Sequence, residues 1–169
     1  MAAGILANAK GDGYTLLASV SSASTSIPHL ESVPYDPFKD CIPLIQFGSL
    51  STGIIVRSDS LWRSLKDLIE AARKNPGKIS YGVPGIWIPP HLAMEHIMLV
   101  EKVNIPVIPF GGAAPTMTAL LGGHVSSCGV TTSGFLPHVK AGKTKVLVVL
   151  ANKRVDSCII PSWKKKEEG

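Results

Sequence analysis

The sequence predicts an α/β fold, a mixed or parallel sheet with helices on both faces. Three observations predict it. Apolar runs of strand length alternate with segments of helical period over most of the chain. Hydrophobic residues make up 45% of the 169 residues and charged residues 17%, below the roughly 25% of an average soluble domain; a large core follows and disorder is excluded. The 16 Gly and 13 Pro are scattered without a period, so they mark turns rather than a collagen-like or low-complexity repeat.

Residues 2–9 (AAGILANA) have near-helical apolar spacing, and Gly11, Asp12 and Gly13 make a turn. Residues 14–20 (YTLLASV) read as a buried strand, and residues 21–26 as a small polar stretch at its C-terminal end. The turn-rich segment 34–40 (PYDPFKD) suits a crossing between lobes. Residues 42–47 and 53–57 read as strands. Ser64 and Asp67 form a capping box, with Asp in place of Glu or Gln. Leu65, Leu68, Ile69 and Ala72 then fall on one helix face until Asn75, Pro76 and Gly77 stop it. A strand over 78–82 and a loop over 83–88 precede Pro89 and Pro90, which suit the first turn of a helix reaching about Glu101. Strand 105–110, helix 113–121 closed by Gly122 and Gly123, strand 124–130, helix 133–141 and strand 145–151 complete the pattern. Residues 152–169 are a charged tail without clear period.

Composition removes several function classes. Mean hydropathy is +0.24, yet the most apolar run, VLVVLA at 146–151, is far short of the ~18 residues of a spanning helix. The net charge is +5 and the pI about 9.2, but the basic residues are dispersed and aromatics are 6%, so a nucleic-acid partner is not expected. Mild positive charge fits a small anionic ligand. Cys41, Cys128 and Cys158 show no CxxC and no even pairing, so neither a disulfide framework nor a zinc site is expected. Met1 opens no segment with a basic n-region and a long apolar h-region, which predicts a cytoplasmic protein if expressed as it stands.

In open α/β sheets ligands bind beyond the carboxyl ends of strands. Three places have that position. The first is the glycine-bearing loop with Gly82, Val83, Gly85, Ile86, Trp87 and Ile88, ahead of His91. Pro89 and Pro90 weaken it, because each removes a helix-start N–H donor. The second is Phe110, Gly111 and Gly112, where two glycines let backbone amides approach a ligand, or simply make a tight turn. The third is Thr131 and Thr132, hydroxyls at a strand end or a helix cap. Catalytic constellations are thin. His91 and His96 are five apart, about 140° around a helix, which defeats HExxH. No GxSxG, GxxxxGK[ST] or complete GxGxxG is present. No metal, cofactor or catalytic residue is expected, and the chain does not read as an enzyme.

A set of motifs is more specific. KGDGYTLL at 10–17, PYDPFKD at 34–40, NPGKISYG at 75–82, HLAME at 91–95, VIPFGG at 107–112 and LLGGHV at 120–125 run in order, with GKTKVLVVLANKR at 142–154 last. Together they resemble the Bug receptors, the substrate-binding proteins of tripartite tricarboxylate transporters. The resemblance implies a type II periplasmic-binding-protein-like architecture: 1–41 a partial first lobe, 42–151 the second α/β lobe, and 152–169 a remnant of the return to the first lobe. On this reading the chain is truncated at both ends. The resemblance also implies a periplasmic location, a di- or tricarboxylate ligand and membrane transporter subunits as partners. Ser19 would then lie in a first-lobe ligand loop, with the three strand-end groups above in the second lobe. The chain departs from the family pattern at Trp87, at Gly111 in place of Lys and at Ser126 in place of Asp. A single lobe is not expected to supply micromolar affinity, so weak or absent binding by this chain alone is expected, along with an exposed apolar face, where first-lobe elements should pack, that gives a dimer or aggregation. Two alternatives stand beside this: a small intracellular α/β enzyme for an anionic metabolite, with His91 as base, or a remnant without function.

Overall fold

Five strands form one mixed sheet in the order β3-β2-β4-β1-β5 in this computed structural model, which describes residues 2–46 and 48–151. The strands are β1 (Thr52–Arg57), β2 (Tyr81–Val83), β3 (Val107–Pro109), β4 (Ser127–Thr131) and β5 (Thr144–Leu150). β2, β3 and β4 are parallel, whereas β1 runs antiparallel to both β4 and β5. Four helices cover the sheet: α4 (Leu65–Lys74), α5 (Pro89–Glu101), α6 (Ala113–Leu121) and α7 (Thr132–Lys140). The tail at 152–169 lies outside the described residues, as does Cys158.

The alternation of side chains along β1 separates two cores. Ile54 and Val56 join Leu68, Ile69 and Ala72 of α4 and Met94 of α5 on one face. Ile55 joins Met117 and Leu120 of α6 and Phe135 of α7 on the other. A bulge between β1 and β5 pairs Ile54 with Val148 but Ile55 with Val146. The extra residue, Leu147, therefore shares the first core with Val148 instead of alternating with it.

The capping box forms as its sequence predicts. Ser64 Oγ accepts from the Asp67 amide at 3.2 Å, and Asp67 Oδ2 accepts from the Ser64 amide at 2.9 Å and the Arg63 amide at 2.8 Å. The Arg63 amide is the main reason the Asp67 carboxyl sits below its ordinary value of 3.8. A depressed folded-state pKa adds stability that is complete above the unfolded value and lost as pH falls through the folded one. Ser64→Ala is expected to cost about 1 kcal/mol in urea unfolding at pH 7. Asp67→Asn is expected to flatten the acid limb of the stability profile below pH 3.8, as acid titration followed by circular dichroism will report.

The chain divides into two units between Ser49 and Leu50. The first contains α1 (Ala2–Ala7), α2 (Ser22–Thr25) and α3 (Ile27–Leu30). Here two sequence expectations fail. Residues 14–20 are not a buried strand: they form no regular element, and Tyr14, Leu16 and Val20 are 93%, 73% and 60% exposed. Residues 42–46 are likewise not a strand. A strand is defined by its partner, and among the described residues of this unit none pairs with either segment. Only Gly4 and Ser22 are buried among the described residues of the unit. In the second unit the errors are at boundaries: β2 begins at Tyr81 rather than 78, and β4 at Ser127 rather than 124.

Candidate functional site

Because β2, β3 and β4 are parallel, Val83, Pro109 and Thr131 end at one edge of the sheet. The pairings of Thr52 with Thr131 and with Leu150 put the start of β1 and the end of β5 at the same edge. α5, α6 and α7 follow these three strand ends, so their N-termini gather there too. The Phe110 amide donates to the Val83 carbonyl at 2.9 Å, and a Cβ at Gly82 would fall 3.2 Å from the Phe110 ring. The first two predicted groups are thus adjacent.

The three helix starts differ in the donors they keep. At α5, Pro89 and Pro90 have no N–H, and the amides of His91 and Leu92 both donate to the Ile88 carbonyl, at 2.9 and 3.1 Å. At α6 the Gly112 carbonyl accepts from the Thr116 amide and, at 2.6 Å, from its hydroxyl. At α7, Thr132 commits its amide and its hydroxyl to the Ser51 carbonyl, at 2.9 and 3.1 Å. The Ala113, Ala114, Ser133 and Gly134 amides have no acceptor among the described residues. The two helix starts abut: a Cβ built on Gly134 would lie 3.5 Å from Ala113 Cβ, at ordinary contact distance. All four residues, with Thr131, Thr118 and His138, line a groove of about 380 Å³ between α6 and α7. Thr131 Oγ1 and Ser133 Oγ lie 3.2 Å apart at its mouth.

The other predicted residues are placed as follows. Val83 is fully buried in the first core, and only its carbonyl faces the loop through the Phe110 bond. Gly85 is open: a Cβ there would meet nothing nearer than the tip of Ile88 at 4.0 Å. Ile86 is exposed. Gly111 takes a φ of 71°, open to glycine without strain. Of the predicted set, Thr131 alone borders the groove. Ser19 belongs to the first unit, exposed, its hydroxyl 3.2 Å from the Val20 carbonyl. Trp87 has a φ of 60°, a left-handed conformation that costs a bulky residue about 1–3 kcal/mol. Its ring stands edge-on to that of His91, with centroids 5.4 Å apart and planes at 86°. His91 is buried, and its Nδ1 has no hydrogen-bond partner among the described residues; an orphan of this kind costs about 1–3 kcal/mol.

Sequence reasoning missed Tyr81 as the anchor of this edge. Its ring is fully buried, burial raises the phenol pKa, and its hydroxyl donates to the Pro90 carbonyl at 3.2 Å. That bond ties the start of α5 back to β2 and fixes the α5 end of the loop between them. Cys128 is a buried free thiol pushed up to about 12 by burial, which suits a core residue rather than a nucleophile.

A family model for the tripartite tricarboxylate transporter family receptor, TctC, matches residues 1–168. The chain belongs to that family. It is 37% identical over 143 residues to the UPF0065 protein in the gbd 5' region of Cupriavidus necator, covering 85% of this chain and 43% of that one. Periplasmic binding protein BugD superposes with a TM-score of 0.81 at 32% identity, over 94% of this chain and 54% of that one. An R. palustris protein solved with adipate gives 0.81 at 28% identity, over 90% and 52%. This TctC-family chain therefore has a periplasmic-binding-protein-like α/β fold and spans about half the length of the relatives it matches.

Proposed function

We propose that this TctC-family chain carries ligand-gripping elements of a solute-binding receptor for a small organic carboxylate of the di- or tricarboxylate class, which in the periplasm would feed the membrane subunits of a tripartite transporter. In this reading residues 1–41 are part of a first lobe and residues 42–151 are the second. The observation that carries it is the pair of abutting helix starts, where Ala113, Ala114, Ser133 and Gly134, whose amides have no acceptor among the described residues, line one groove. Unpaired first-turn amides and the helix dipole favour an anion at that point. Family membership and the adipate in one structural relative supply the carboxylate class. Thr131 lines the same groove.

One groove on one sheet edge covers a small part of a ligand's surface, and useful affinity needs most of it covered. Micromolar binding requires about −8.2 kcal/mol. Calorimetric titration with C4–C6 dicarboxylates is therefore expected to give millimolar dissociation constants. Amide NMR with adipate is expected to move the Ala114, Ser133 and Gly134 resonances first. Shifts confined to other residues would refute the assignment, and micromolar affinity would refute the weakness.

Self-association through the first unit is the second part of the proposal. Tyr14, Phe38, Ile42, Leu44 and Ile45 are each more than 70% exposed, and aromatic side chains alone bury about 150–250 Å² each when covered. So much exposed apolar surface is unusual for a monomer, and a second copy brings the same face. Light scattering is expected to report a dimer, and Ile42→Lys with Leu44→Lys a monomer; a monodisperse wild-type monomer would count against it.

A further inference from the structure

Two unfavourable states touch at the start of α5. The imidazole of His91 is nine-tenths buried, its Nδ1 meets no donor or acceptor among the described residues, and its Nε2 stands 3.7 Å from Glu95 Oε1, beyond a hydrogen bond. Trp87, four residues earlier, packs T-shaped against that ring while its backbone holds a left-handed φ. Each state is unusual alone: buried polar atoms are nearly always paired, and left-handed backbone at a bulky residue is rare. A turn of the 86–88 backbone would take Trp87 out of the left-handed region and its ring away from that of His91. The ends of this segment are held, by Phe110 on Val83 and by Tyr81 on Pro90.

We infer that Trp87 is a gate over His91, and that the uncovered Nδ1 hydrogen-bonds a carboxylate oxygen of the ligand. This rests on the carboxylate-receptor reading and adds to it a specificity-determining side chain on the α5 side of the sheet edge. His91 here is a binding group and transfers no proton to the ligand. The gate accounts for a large aromatic residue kept in a conformation that glycine would adopt freely.

The test is an NMR titration of the full chain, labelled with ¹⁵N in histidine and in the backbone, with adipate to tens of millimolar. Adipate is expected to shift the His91 ring nitrogens together with the amides of Ala114 and Gly134. Trp87→Gly, which uncovers the ring, is expected to tighten adipate binding about tenfold, the ratio that release of such strain permits. In that background His91→Asn, whose amide nitrogen lies where Nδ1 lies, keeps the gain, and His91→Gln and His91→Ala lose it. Amide shifts without a ring shift would overturn the gate and leave the receptor reading standing. No shift at either place would overturn both. A ring that reports a bound water with and without adipate, or equal affinities for His91→Asn and His91→Ala, would also overturn it. The wild-type titration decides the matter even where a variant folds poorly.

Discussion

Gly129→Ala is expected to lower stability by about 4 kcal/mol or more, a loss in the exceptional range for one substitution. A Cβ at this position would overlap the Tyr81 hydroxyl and fall 2.6 Å from Tyr81 Cζ and 2.9 Å from Pro90 Cβ. Added atoms in a packed core usually cost about 1–3 kcal/mol, because neighbours shift to make room. Here they cannot. β4 lies between β2 and β1, held by ladders on both sides, and the Tyr81 ring is fully buried with its hydroxyl bonded to the Pro90 carbonyl. The methyl must displace either the strand or the tie that fixes α5. Urea unfolding of the variant should show a much earlier midpoint or no cooperative transition. Gly77→Ala is the control: its φ is 75° and nothing lies within 4 Å of the new methyl, so only the backbone cost of the left-handed conformation remains, about 1–2 kcal/mol. Adding Tyr81→Phe, which removes the nearest atom, should recover part of the loss. A Gly129→Ala midpoint equal to that of Gly77→Ala would refute this account of the Tyr81 anchor.

The sequence made some of this visible and hid the rest for physical reasons. The second unit was readable because local chemistry marks its elements. Ser64 caps α4, Gly77 ends its turn with a positive φ, and Pro89 and Pro90 open α5 at the predicted residue. α6 runs over 113–121 as its sequence predicts, for the same reason. Strand pairing is not local, and there reasoning from one chain fails. YTLLASV at 14–20 has the composition of a strand, yet composition does not supply a ladder partner. The antiparallel direction of β1 is equally invisible in its residues. The candidate site divides along the same line. Glycines drew attention to the strand ends, and the structure does put Gly82 and Phe110 side by side. The unpaired donors belong instead to Ala113, Ala114, Ser133 and Gly134, whose side chains announce nothing. Which amides stay free depends on carbonyls elsewhere in the chain, such as Ser51, which takes both donors of Thr132 from just before the start of β1.

Gly53→Ala is the second large effect, expected at about 3 kcal/mol, at the upper end of overpacking costs. Its Cβ would lie 2.7 Å from Phe135 Cε1 and 3.2 Å from Cζ, and Phe135 is fully buried among Ile55, Met117, Leu120 and Val130. Gly53 pairs with Val130 on one side and Val149 on the other, so its backbone has no room to withdraw. Phe135 carries the first turn of α7 against the sheet, and with it Ser133 and Gly134, which line the groove. The clash and the seat of α7 are therefore one contact, and the two residues must couple. Phe135→Leu alone loses ring contacts and is expected to cost about 1–3 kcal/mol, below the 3–5 of Phe→Ala. In the Gly53→Ala background the smaller side chain makes room for the methyl, so the double variant should be more stable than the sum of the single losses requires. Neighbours in contact give coupling energies of about 0.5–3 kcal/mol, and this pair should fall in the upper half. Urea midpoints of the four proteins measure it. Strict additivity would mean that the strand moves rather than the ring, and α7 would then not be seated by Phe135.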